Sequence, residues 1–165
     1  MLWRDKSRNT QHALGHASRL VAPERSEGGN THHAAVNRHL TITAEPINET
    51  ALLAQRNMSH GMGAVVYFLG VVRGTEADTA IRAIEYEAFE KMVTHQFNLL
   101  FDEIEKRWPV ESVRLIHRLG VVPVNVPSLW VEVVAPHRGE AFAACQWLID
   151  EMKRVVPIWK KPIAS

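Results

Sequence analysis

The sequence predicts an α/β or α+β domain, a mixed sheet with helices packed on it. Three observations predict it. Two long segments repeat apolar residues at three- and four-residue steps, as an amphipathic helix does. A proline closes each of these segments. Short runs rich in β-branched residues lie between them. The resulting order is strand, helix, strand, strand, helix, strand, strand, helix, with no internal repeat within residues 40–165.

At 165 residues the chain is long enough for one compact domain with a sizeable core. Apolar content of 46% and charged content of 22% are ordinary for a globular protein. The formal net charge of +1 gives no global field for nucleic acid, so any anion site must be local. No apolar run approaches the ~20 residues that span a bilayer, and no membrane partner is expected. The single cysteine, Cys145, excludes an internal disulfide and a cysteine-rich zinc site. It fits a reducing compartment, and the expected location is cytoplasmic.

Residues 1–38 are rich in Arg, Ser, Asn, His and Gly without apolar period. They read as a disordered extension, with a domain over 39–165. Order is expected from Leu40, in a short alternating strand. Pro46 and Asn48 introduce a small helix near 48–55. Residues 64–72, AVVYFLGVV, read as a strand buried on both faces. A polar loop covers 75–80. Residues 81–89 form a strand with Ile84 and Tyr86 on one face and Glu85 and Glu87 on the other. Val93, Phe97, Leu100, Phe101 and Ile104 make the buried stripe of a helix over 90–108. Strands follow at 113–119 and 129–135, joined by a proline-containing connection. The last helix begins near His137 and stops before Pro157. Phe142, Cys145, Ile149, Met152 and Val156 form its stripe, and Lys153 falls at the edge beside Ile149, at about 100° per residue. A short strand near 158–165 ends the chain. Cys145, inside the stripe, reads as a buried structural thiol.

Several chemistries lack their signatures. The sequence has no G-x-x-x-x-G-K-[ST], no G-x-G-x-x-G after a strand and no G-x-S-x-G. It also lacks H-E-x-x-H and close Cys/His pairing, so no metal site is expected; His32, His33 and His39 lack a scaffold. What remains is basic. Arg73 follows one strand, His137 and Arg138 follow another at a helix N-terminus, and Lys153 and Lys160 lie beyond. Strand ends and a helix N-terminus can hold an anion, because free backbone N–H groups add to side-chain charge. Each residue also has a plain alternative. Arg73 could be a solvated strand-end charge, Arg138 a surface ion-pair partner, Lys160 and Lys161 an exposed tail, and His117 a packing residue. Composition and spacing leave these alternatives open.

The segments GAVVYFLGVVRG (63–74), IEYEAFEKM (84–92), RWPVESVRLIHRLG (107–120), VVAPHRGEAFAACQWLIDEMK (133–153) and VPIWKK (156–161) resemble the large, catalytic subunit of molybdopterin synthase, the MoaE family. The resemblance runs over about residues 40–161 in order. It implies an α/β hammerhead fold with a small added β subdomain. It also implies a sulfurtransferase that adds the two dithiolene sulfurs to a cyclic pyranopterin monophosphate. The sulfur comes from a small ubiquitin-like partner ending in a Gly-Gly thiocarboxylate. The assembly implied is a heterotetramer around a dimer of large subunits, with no cofactor of its own.

By matching position, the resemblance makes Lys153 and Lys160 the catalytic lysines. Lys153 would serve the donor's C-terminal carbonyl and Lys160 the pterin. Arg73, His137 and Arg138 match anion-binding positions for the phosphate, and Phe68 matches an apolar residue near the donor tail. Two features depart from the family pattern. Lys161-Pro162 stands where an acidic residue usually follows W-K, and the loop 74–80 differs from its usual version. The alternative reading is a paralogue that docks the partner without turnover.

Overall fold

The computed structural model describes residues 35–165. The elements run β1 (Asn37–Thr43), α1 (Glu49–Ala54), β2 (Ala64–Val71), β3 (Thr75–Glu76), β4 (Thr79–Ala88), α2 (Glu90–Arg107), β5 (Ser112–Arg118), β6 (Gly120–Pro123), β7 (Pro127–Ala135), α3 (Arg138–Val155) and β8 (Ile158–Ala164). The larger sheet has the order β1-β5-β7-β2. Its β1–β5 pair is parallel, whereas β5–β7 and β7–β2 are antiparallel. A smaller sheet is built on β4, which pairs with β3, β6 and β8. This is the mixed α/β architecture with an added β subdomain.

α2 and α3 cover one face of the larger sheet. The expected α2 stripe is buried throughout. It packs against Val113, Leu115, Val131 and Val133, which alternate along β5 and β7 toward the helices. α3 buries Ala141, Ala144, Cys145, Leu148, Ile149 and Met152. The two alanines let its first turns approach the sheet closely. Phe142, expected in that stripe, is instead 62% exposed. It stands about 100° round the helix from Ala141, past the edge of the face that meets the sheet.

The opposite face carries a charged cluster. Glu132 on β7 is fully buried. Its carboxylate accepts from Arg56 Nε and Arg114 Nη1, each at 3.1 Å. Arg114 also donates to the Leu52 carbonyl, tying α1 to the sheet. The two guanidiniums lie over the Tyr67 and Trp130 rings. α1 itself starts at Asn48, whose side chain caps the Ala51 N–H.

Four expectations change. β1 begins at Asn37 rather than Leu40, because Arg38 is anchored by Asp102 and Glu105 on α2. Residues 1–34 of the expected extension, with His32 and His33, lie outside the described residues. β2 is an edge strand with half-buried side chains and exposed Tyr67 and Val71; the strand buried on both faces is β7. The loop 75–80 is a two-residue hairpin, with Ala77 and Asp78 at positive φ as a type I′ turn requires. The connection after β5 contains β6, entered through Gly120 at φ +76°.

Candidate active site

A cavity of about 350 Å³ opens where the two sheets meet the last turn of α3. β2 and β7 slip register between Gly70 and Val71 at this point. The bulge ends the regular ladder and leaves space between the sheets. Gly70 lies in the wall, and a Cβ there would come within 3.0 Å of the Leu129 Cβ.

Chain reversal at Pro157 brings the two lysines together. Met152 faces the core and the next residue, Lys153, stands at the rim. Pro157 ends the helix. β8 then pairs with β4 so that Lys160 lies opposite Tyr86. Arg73, just past β2, and Phe68 within it complete the set. Phe68, Arg73, Lys153 and Lys160 therefore line one cavity, although 92 positions of sequence separate the first from the last.

The lining combines basic and apolar side chains. Arg73 and Lys153 are exposed at the rim. Lys160 is deeper and forms an ion pair with Glu76 of β3. Phe68, Leu69, Ile84 and Leu129 supply the apolar wall. Ser128 Oγ donates to Tyr86 Oη at 3.2 Å and lies 3.3 Å from the Gly70 carbonyl. Burial raises the Tyr86 phenol above its ordinary value, so it stays protonated. Behind Tyr86 the His117 ring packs edge-on at 5.3 Å, with Nδ1 2.9 Å from the Arg118 carbonyl. Burial lowers its pKa to about 4, so it is neutral at pH 7. His117 is a packing residue behind Tyr86. Such a cavity suits a group with an anionic end, held by charge and by apolar contact.

His137 and Arg138 are not in this cavity. Both are exposed at the N-terminal end of α3. About 22 Å of helix axis separates Arg138 from Lys153. One chain therefore presents two basic positions at opposite ends of one helix. Sequence reasoning missed Glu76, Tyr86 and Ser128 as lining residues. Tyr86 carried a signal, since it sits on the inward face of an alternating strand. Glu76 carried none, because its place depends on a hairpin turn formed by non-glycine residues. Cys145 is buried, and burial pushes its thiol up to about 11, which leaves it inert. Among the described residues, no cluster of His, Cys, Asp or Glu could hold a metal ion.

Comparison with known proteins bears on the family and the fold. Residues 42–155 match the family described as MoaE protein. The molybdopterin synthase catalytic subunit of Thermoplasma volcanium is 35% identical over 128 residues, covering 78% of this chain and 93% of its own. That of Bacillus subtilis is 36% identical over 123 residues, covering 74% and 77%. The crystal structure of molybdopterin synthase from Staphylococcus aureus superposes with a TM-score of 0.69 at 32% identity, covering 76% of this chain and 90% of that one. The chain belongs to the MoaE family, that of the catalytic subunits of molybdopterin synthase.

Proposed function

We propose that this chain performs the sulfur-transfer step of molybdopterin formation. The donor is the C-terminal thiocarboxylate of a small ubiquitin-like partner, and the acceptor is a cyclic pyranopterin monophosphate. The observation that carries this reading is the convergence of Phe68, Arg73, Lys153 and Lys160 on one cavity. A Gly-Gly tail has no side chains and would lie against the apolar wall that includes Phe68. Lys153 at the rim would stabilise charge on the donor's terminal carbonyl as sulfur leaves. Lys160 would stabilise charge or move a proton at the pterin. Because sulfur arrives on the partner, no cysteine of this chain is required, and the inert Cys145 is consistent with that.

In this reading Arg73, His137 and Arg138 bind the pterin phosphate. His137 and Arg138 lie too far along α3 to act with Lys153 of the same chain. A second copy, within the heterotetramer, would supply them to the cavity. The protein would work in a reducing compartment, the cytoplasm.

Lys153→Ala tests the assignment. With thiocarboxylated partner and precursor supplied, dithiolene formation should fall at least about 100-fold, the scale of losing one preorganised charge-stabilising group. Turnover at the normal rate would refute it. Retention of the partner by the unsubstituted chain, without product, would favour the docking paralogue instead.

A further inference from the structure

The cavity has an acid of its own. Three cations line it, Arg73, Lys153 and Lys160, and among the lining residues Glu76 is the one carboxylate. It pairs with Lys160, and the two side chains are only 14% and 24% exposed. The contact joins residues 84 positions apart and bridges β3 to β8. In a partly dry site an ion pair is stronger than on the surface, and a second anion beside the first is strongly repelled. An anionic ligand competes with the Glu76 carboxylate for Lys160.

The segment carrying Glu76 is lightly held. β3 has two residues, paired to β4 only as Thr75–Ala80 and Glu76–Thr79. The turn residues Ala77 and Asp78 sit at φ 47° and 65°, a region that L-residues occupy at some cost. Thr75, Ala77, Asp78, Thr79 and Ala80 are all exposed. A small swing of this tip would withdraw the carboxylate at the cost of the two β3–β4 pairings alone, leaving the larger sheet and the β4–β6 and β4–β8 ladders in place.

We infer that Glu76 is the resident counter-anion of the cavity: it holds Lys160 in the empty state and is displaced by the anionic end of a ligand, including the terminal carboxylate of a donor tail whose carbonyl lies at Lys153 and which reaches Lys160 before the pterin does. This rests on the reading of the cavity as an anion site given above. Glu76 is then a specificity-determining residue. A ligand carrying full negative charge replaces one ion pair by another, whereas a neutral analogue gains nothing at Lys160 and leaves the pair in place. The affinity for anions is reduced by the fraction of the protein in which Glu76 occupies Lys160.

The test is titration calorimetry on the full chain with two synthetic peptides. Both end in Gly-Gly, one as the free carboxylate and one as the amide. Glu76→Gln, which keeps shape and removes charge, should bind the carboxylate peptide about tenfold tighter than the unsubstituted chain, with amide binding unchanged. Glu76→Ala should show the same gain. In a Lys160→Met background, Glu76→Gln should give no gain, because the competition is for that ammonium. Melting curves establish that each variant is folded. Carboxylate binding that is equal or weaker in both folded Glu76 variants overturns the inference alone. No binding of the carboxylate peptide by the unsubstituted chain or by Glu76→Gln overturns both the inference and the tail-binding reading beneath it.

Discussion

At the scale of the residue, two buried ionisable groups govern stability. His117 is fully buried, and its folded-state pKa of about 4 lies below its ordinary 6.5. Above pH 6.5 both folded and unfolded forms are neutral. As pH falls from 6.5 to 4 the unfolded chain takes up a proton that the folded one refuses. Stability is therefore lost over that window, by roughly 3 kcal/mol at its end. Thermal melts at pH 7.5, 6, 5 and 4 should show a smaller drop for His117→Leu than for the unsubstituted chain. Equal slopes would mean that His117 is not the group responsible. Glu132 is the second case. Glu132→Ala strands the Arg56 and Arg114 guanidiniums against the Tyr67 and Trp130 rings, and should cost about 3 kcal/mol in denaturant unfolding.

At the scale of the element, burial follows position in the sheet more than composition. β2 and β7 both read as apolar runs, yet only β7 has neighbours on both sides, β5 and β2. The same limit applies to α3. Period alone admitted Phe142 to the stripe, but the sheet covers the face centred on Ala141, Ala144 and Leu148. The β3–β4 hairpin shows local chemistry at odds with the favoured turn residues. A type I′ turn prefers Asn-Gly, and this chain has Ala77-Asp78. Replacing them together, Ala77→Asn with Asp78→Gly, should stabilise the fold by about 1 kcal/mol, read as a rise in Tm. A loss of stability would show that this turn is not held at positive φ.

At the scale of the whole molecule, the cavity lies at the junction of two sheets and one helix end, and the second basic position lies at the other end of that helix. If two copies build each working site, variants defective at opposite ends should complement. Lys153→Ala and Arg138→Ala should each be inactive alone. Mixed and allowed to exchange subunits, they should recover about a quarter of normal activity, since half the dimers are mixed and each has one intact site. No recovery, with exchange verified, would show that the site is not shared between copies, and normal activity of Arg138→Ala alone would place Arg138 outside the reaction.

Much of this was legible in the chain itself. The helix over 90–107, the caps at Asn48 and Pro157, the inertness of Cys145 and the inward face of Tyr86 all follow from periods and local backbone rules acting over a few residues. The linear pattern also offered Arg73, Lys153 and Lys160 as basic candidates, and the family resemblance added Phe68. It could not show that they line one cavity, that Glu76 occupies Lys160, or that His137 and Arg138 stand apart from them. Those facts depend on strand order, on the bulge at Gly70 and on the reversal at Pro157, which join residues far apart in sequence. Periodicity fixes which face of an element is apolar, because one turn or one pleat suffices to define it. Which elements meet, and at which end, is decided only when the sheets close on one another.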